Sequence, residues 1–227
     1  MPEVTATRAL PFSHGQFSPW QRYRYGRALR AEGYDQAMIM PGSWKSAIIP
    51  WAAGITQRTG WLGEQRYGLL TDWRRLDKTR YARMIERLWA LAFTADTALP
   101  EGLPLPRLEV SDSARAAVLT RLGLSVTRPV LVIAPGAEYG PAKRWPAERF
   151  AHVAAAALSA EWHVWIVGTN QDKASAQVIQ AHCADGCVDL VGKTTLLDAV
   201  DLIASAGAVV CNDSGLMHVA CALAIPV

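Results

Sequence analysis

The sequence lacks any long hydrophobic run. Its longest apolar stretches lie at 130–135, 163–167 and 208–211, and each falls far short of the ~20 residues that a membrane-spanning helix needs. The N-terminal residues contain no apolar core of the signal-peptide type. We therefore expect a soluble protein of the cytoplasm.

Cysteine and charge are also scarce. Only four cysteines occur, at 183, 187, 211 and 221, and no histidine or second close pair completes a zinc site around the first two. No acidic pair has metal-ligand spacing either, so we expect free thiols and no metal. Since 51% of the residues are hydrophobic and 19% are charged, the chain can bury a substantial core, and general disorder is excluded.

The charge that is present is unevenly distributed. Residues 1–100 hold 14 Lys and Arg against 8 Asp and Glu, whereas residues 101–227 hold 9 against 12. The basic first half favours an anionic partner. A solvated basic surface explains the same charge equally well.

A stretch rich in proline separates the two halves. Residues 96–108 contain three prolines and a glycine, a composition typical of a linker. We therefore predict one domain over 1–100 and another over 101–227. In the first we expect a loop-rich stretch from 54 to 80 and elements in the order helix 20–32, strand 35–40, helix 43–53 and helix 81–93.

The second half alternates strands with helices. We predict strands at 130–134, 163–167, 188–191 and 208–211, and helices at 145–160, 172–182, 195–206 and 214–223. Such alternation predicts βαβ units and a doubly wound parallel sheet of the α/β class.

Ligands of such sheets bind where strands lead into helix N-termini, and the richest such loop follows the strand at 130–134. It contains Gly136 and Gly140 and ends in Lys143 and Arg144 just before a helix. Backbone amides, a helix N-terminus and a lysine suit a pyrophosphate. The alternative is a long solvated loop.

Two further loops offer polar groups at the same edge. Asp213, Ser214 and Gly215 open a helix directly after a strand, where they either cap the helix or present amides to a phosphate or ribose. His218 follows one turn later, and a lone histidine in an apolar helix is more often a packed core residue than a ligand contact. Asp172 could contact a ribose hydroxyl or cap its own helix.

Three segments carry a family resemblance. They are PGAEYGPAKRWP at 135–146, NDSGLMHVA at 212–220 and PGSWKSAIIPWAAGITQRTGWLGEQRYGLL at 41–70. In these the chain closely resembles the ADP-heptose:lipopolysaccharide heptosyltransferases of glycosyltransferase family 9, specifically the heptosyltransferase II subgroup. The resemblance implies two Rossmann-like domains in the GT-B architecture. It also implies an inverting, metal-independent transfer without a cofactor.

The resemblance also implies partners and site residues. The donor is ADP-heptose and the acceptor is heptosyl-Kdo-lipid A, with transfer to the first heptose of the inner core. We expect no nucleic acid partner, and peripheral contact with the cytoplasmic face of the inner membrane. The donor-binding residues carried over are Gly136, Lys143, Asp172, Asp213, Ser214, Gly215, Leu216 and His218. The acceptor contacts are Lys45, Arg58 and Arg66, for which a solvated basic surface is the alternative.

The chain departs from the family pattern at both ends. Family members begin with a strand and a glycine-rich turn whose aspartate resembles the general base, and they continue beyond Pro226 and Val227. We therefore expect a chain truncated at both ends, with both domains incomplete, no catalytic residue and no transfer activity alone. Asp35 and Asp72 match no family position.

Three other functions remain open on the residues. One is another sugar-nucleotide enzyme of the same fold, and a second is a nucleotide-binding fragment without activity. The third is a nicotinamide oxidoreductase, which the absence of a GxGxxG loop disfavours.

Overall fold

A computed structural model of the chain describes residues 4–13, 15–95, 97–137, 143–183 and 186–227. The chain divides into two compact units. Residues 5–104 form the first unit and residues 105–227 form the second. Within the described ranges, no helix is both long enough and apolar enough to cross a bilayer.

The first unit contains a small parallel sheet with helices. Its elements are α1 (Pro19–Leu29), β1 (Gln36–Ile39), α2 (Trp44–Ala52), β2 (Gln57–Trp61), β3 (Asp72–Arg74) and α3 (Met84–Trp89). The strands pair in the order β1-β2-β3, each parallel to its neighbour. Helices α1 and α2 pack so closely at Gly26 that a Cβ there would lie only 2.8 Å from the Cβ of Ala52.

The stretch from 54 to 80 is rich in loops, as predicted, but it also contains the short strands β2 and β3, which were not predicted. Its strands are short and mix arginine and tryptophan with glycine, so they show no apolar alternation, although Thr59 and Gly60 are buried. The helix predicted at 81–93 is shorter, since α3 ends at Trp89 and a 3-10 turn follows. Its apolar residues Met84 and Leu88 are exposed, while Leu91 in the 3-10 turn is buried.

The second unit is a three-layer α/β sandwich. Its elements are α4 (Asp112–Leu122), β4 (Val130–Ala134), α5 (Ala147–Ser159), β5 (His163–Ile166), α6 (Lys173–Cys183), β6 (Cys187–Asp189), α7 (Leu196–Ala204), β7 (Ala208–Cys211) and α8 (Gly215–Ala222). All strands are parallel, in the order β6-β5-β4-β7. The predicted α/β class with parallel sheets is confirmed, and the predicted strands of this unit agree to within a few residues.

Strand β4 is buried on both faces, which fixes the core. Val130 and Val132 pack on the side of α4, α7 and α8, whereas Leu131 and Ile133 pack on the side of α5 and α6. A parallel strand covered on both sides is expected to be apolar throughout. Helix α4 was not predicted; the side chain of Ser111 caps it by accepting a hydrogen bond from the Ala114 amide.

The strand order places a switch point beside β4. From β4 the chain runs outward to β5 and then β6, and it returns to add β7 on the other side of β4. The loops after β4 and β7 therefore leave neighbouring strands in opposite directions. A crevice at the carboxyl ends of such strands is the usual ligand site of open parallel sheets.

Candidate functional site

A cavity of about 630 Å³ opens at this edge of the second sheet. Five of the predicted donor residues line it, namely Gly136, Asp172, Ser214, Gly215 and Leu216. The cavity also borders Thr169 and Thr195, which precede the 3-10 turn before α6 and helix α7. Three helical N-termini thus face one space, and their partial positive charge favours an anion.

Helix α8 is the best placed of these for a ligand. Ser214 stands at its N-cap position but makes no side-chain cap hydrogen bond, whereas the hydroxyl of Thr195 already accepts from the Asp198 amide 3.2 Å away. Around Gly215, a Cβ would meet no heavy atom of the described residues within 4 Å. A ligand can therefore approach the first backbone amides of α8 closely.

Lys143 and Asp213 come from different loops and meet as an ion pair. The Nζ of Lys143 lies 2.7 Å from Oδ2 of Asp213, and both side chains remain about half exposed. The hydrogen bond from Lys143 and the charge of Lys143 lower the pKa of Asp213, and His218 adds a smaller lowering. The pair does not line the cavity itself, but Asp213 adjoins Ser214, which does.

Asn212 is a residue of this edge that was not predicted from the sequence. Its side chain is buried at the end of β7, where Oδ1 accepts from the Trp145 amide at 2.9 Å and Nδ2 donates to the Pro135 carbonyl at 2.7 Å. A polar side chain directly after a buried strand was the available signal. Gly140, by contrast, lies outside the described residues.

Asp172 has the capping role that the sequence left as an alternative. Its Oδ2 accepts from the amide of Thr169 at 2.8 Å and from the Thr169 hydroxyl at 3.0 Å. The carboxylate is largely buried and lies against Gly136 at the cavity wall. Its predicted ribose contact therefore competes with these hydrogen bonds.

His218 lies on the surface of α8, exposed to solvent. The alternative of a packed core histidine is therefore wrong. His218 does not line the cavity, but it is close enough to Asp213 to affect the pKa of that carboxyl.

The three predicted acceptor residues have different surroundings in the first unit. Lys45 lines a cavity of about 770 Å³ together with Arg8 and Arg22, and its Nζ donates to the Gly15 carbonyl at 3.2 Å. Arg58 and Arg66 do not line that cavity. The guanidinium of Arg58 donates to the Leu69 carbonyl at 2.6 Å, and partial burial lowers its pKa.

Arg66 is fully buried, which the sequence did not indicate. One guanidinium nitrogen donates to the Pro41 carbonyl at 2.8 Å and to the Ser46 hydroxyl at 3.1 Å, and the other donates to the Trp61 carbonyl. These bonds hold the loop after β1 against the end of β2. An enclosed guanidinium leaves no surface for an acceptor in this conformation, so Arg66 has a structural role here.

The first unit offers no strong general base in Asp72. Its carboxylate accepts from Arg74 and from Thr59, and the Arg74 hydrogen bond is the main reason that its pKa is lowered. A carboxylate so stabilised is a poor proton acceptor. Within the described part of the chain, no group of three or more His, Cys, Asp or Glu residues could hold a metal ion.

Comparison with known proteins decides the family. The model of the family described as glycosyltransferase family 9 (heptosyltransferase) matches residues 22–227. The chain belongs to this family. Lipopolysaccharide heptosyltransferase 2 of Salmonella typhimurium is 43% identical over the whole chain, and the chain covers 68% of that protein. The corresponding Escherichia coli protein is 42% identical, with the same coverage.

Solved structures agree with this assignment. The structure of E. coli ADP-heptose lps heptosyltransferase II superposes with a TM-score of 0.83 at 41% identity, covering 90% of this chain and 65% of that one. The chain thus spans about two thirds of the length of these relatives. The predicted family and its heptosyltransferase II subgroup are confirmed. E. coli WaaC with ADP-2-deoxy-2-fluoro heptose, at 19% identity and a TM-score of 0.65, shares the fold.

Proposed function

We propose that this heptosyltransferase chain binds ADP-heptose in the cavity of its second unit. The enzyme then transfers the heptose to the first heptose of the lipopolysaccharide inner core. The observation that carries the donor site is the uncapped N-terminus of α8 at the cavity, where Ser214, Gly215 and Leu216 lie at the sheet's switch point. The names of the 42–43% identical relatives support the heptose chemistry.

Each group has a distinct task in this proposal. The first amides of α8 bind the diphosphate, and the ammonium of Lys143 neutralises the charge that develops on it as the sugar departs. Asp213 lies two residues before the start of α8 and holds Lys143 near this helix N-terminus through their 2.7 Å contact. No base is assigned among the described carboxylates, so the removal of the acceptor proton is not attributed to this chain.

The acceptor side of the proposal belongs to the first unit. Lys45 lines its cavity, and its ammonium suits a carboxylate of a heptosyl-Kdo-lipid A acceptor. Of the other two cations there, Arg22 is buried and donates to the Gln16 and Phe17 carbonyls, and Arg8 is paired with Glu32. The lipid part of this acceptor places the enzyme at the cytoplasmic face of the inner membrane. Exposed Trp20 and Arg24 on α1 are residue types that favour a bilayer interface.

Calorimetry with ADP, ADP-heptose, GDP and UDP tests the donor site directly. We expect ADP and ADP-heptose to bind, and the Lys143→Ala variant to bind both more weakly. Equal binding of all four nucleotides, or of none, contradicts the proposed donor. A mass-spectrometric assay with heptosyl-Kdo-lipid A then separates a transferase from a protein that binds the nucleotide without turnover.

A further inference from the structure

Both ends of the loop after β4 are hydrogen-bonded to one buried side chain, that of Asn212. Asn212 is 6% exposed, and its amide bonds to the Pro135 carbonyl at 2.7 Å and to the Trp145 amide at 2.9 Å. Pro135 directly follows β4, and Trp145 stands two residues before α5. A single side chain of the β7 loop therefore sets the position of both ends of the β4 loop.

A side-chain amide satisfies both contacts at any pH. The Pro135 carbonyl requires a donor and the Trp145 amide requires an acceptor, and asparagine offers both at the end of a short side chain. An ionised aspartate accepts but cannot donate, and leucine does neither. Because the position is buried, water does not easily replace a lost bond.

The two hydrogen bonds of Asn212 lie next to the residues proposed to bind the donor. Gly136 directly follows Pro135, Lys143 stands two residues before Trp145, and Asp213 directly follows Asn212. The 2.7 Å pair of Lys143 and Asp213 therefore spans the same two loops as Asn212 does. The exposed ion pair contributes little stability and its geometry can adjust. The buried amide of Asn212 instead sets the relative position of the two loops that carry Lys143 and Asp213.

We propose that Asn212 is a positioning residue of the donor site. It holds the loop of Gly136 and Lys143 at a set distance from the N-terminus of α8. This inference rests on the proposed donor site. Asn212 itself touches no donor, because both ends of its amide are engaged by backbone groups; it acts through Lys143 and the α8 amides.

The test compares Asn212→Asp with Asn212→Leu across pH. Below its own pKa, the carboxyl of the aspartate variant carries both a donor and an acceptor and can restore the two bonds. The other charged groups of this edge are Lys143, Arg144, Asp213 and His218, with Asp172 beside Gly136, and all are shared with the wild-type protein. The measured quantity is therefore the ratio of ADP affinities between variant and wild type at each pH. Gln177→Glu, which adds the same charge on the exposed face of α6, is the control.

We expect the aspartate variant to bind ADP about tenfold more weakly than wild type at pH 8 and to recover to within about threefold at pH 4.5. The leucine variant should stay weak at both pH values, and Gln177→Glu should match wild type throughout. A side chain that only stabilised the fold would give no such recovery in variants that are fully folded by circular dichroism. Wild-type affinity in the aspartate variant at pH 8 overturns the inference.

Hydrogen exchange separates failure of this inference from failure of the donor proposal. If wild type does not bind ADP, the donor proposal fails, and exchange of the Trp145 amide alone then decides whether Asn212 fixes the loop. We expect that amide to be protected in wild type and to exchange at least about tenfold faster in Asn212→Leu. Unchanged protection in that variant overturns the inference whether or not ADP binds.

Discussion

Gly136 lies so close to Asp172 that a Cβ at position 136 would sit 2.7 Å from both carboxylate oxygens. The carboxylate cannot swing away freely, because Thr169 holds it with two hydrogen bonds. We therefore expect Gly136→Ala to lower the free energy of unfolding of the second unit by about 1–3 kcal/mol. Hydrogen exchange of β4 amides measures this loss.

Two further variants test whether the clash is the cause. Gly215→Ala, where a Cβ meets nothing within 4 Å, should change the free energy of unfolding by less than about 0.5 kcal/mol. Combining Gly136→Ala with Asp172→Ala removes the opposing carboxylate, so the two losses should not add. Strict additivity would show that the Asp172 contact is not the reason.

Lys143→Ala should weaken ADP binding without unfolding the protein. Losing a charged hydrogen bond to a phosphate costs on the order of 1.5–3 kcal/mol of binding free energy. The half-exposed pair with Asp213 contributes little to folding, so the unfolding midpoint should barely move. Calorimetry measures the affinity. Lys78→Ala, at an exposed lysine of the first unit, is the matched control and should bind ADP like wild type.

Asp213→Ala should lower donor affinity by more than any loss of stability explains. Asp213 keeps Lys143 in front of α8, and the variant frees the lysine to move away. Thermal melts with and without ADP, run on both proteins, separate the two effects. A ligand-induced shift in the variant equal to that of wild type would leave Asp213 with no role in donor binding.

The pKa of Asp213 reports the same contact. Lys143 lowers it, so the ion pair contributes stability above the usual pKa of an aspartate, about 3.9, and this contribution is lost as the pH falls through the lowered pKa. Lys143→Ala should therefore raise the pKa of Asp213 toward its usual value. A carbon-13 NMR titration of the carboxyl measures the change. A pKa that does not rise would mean that the ion pair does not form in solution.

The second unit could be predicted from the sequence because its periodicity is simple. Strand β4 is apolar at every position because helices cover both faces, and the helices between the strands begin and end near the predicted residues. The first unit could not be predicted in the same way. Strand β2 buries Thr59 and Gly60 rather than large apolar residues, so hydrophobic pattern alone does not reveal it.

The sequence analysis identified many of the residues of the candidate site, but it did not predict which side chains contact one another. The glycines and cations of the loops were visible as ligand-binding types, and five of the donor residues do line one cavity. That Lys143 pairs with Asp213, or that Asn212 joins two loops, depends on strands 77 residues apart meeting in the sheet. Sequence spacing carries no information on such contacts. For the same reason, the burial of Arg66 could not be predicted from the sequence, in which it resembles any exposed arginine.

Arg66→Ala should destabilise the first unit strongly, because it removes a fully buried side chain and leaves a cavity. The substitution also removes the donor to the part-buried Pro41 and Trp61 carbonyls and to the Ser46 hydroxyl. We expect a loss of about 3 kcal/mol or more in the free energy of local unfolding, measured by hydrogen exchange of β2 amides. Arg75→Ala, at an exposed arginine, should cost less than about 0.5 kcal/mol. Equal protection of β2 in the two variants would mean that Arg66 does not support the fold, and the sequence-based prediction of an acceptor contact would again be the better explanation.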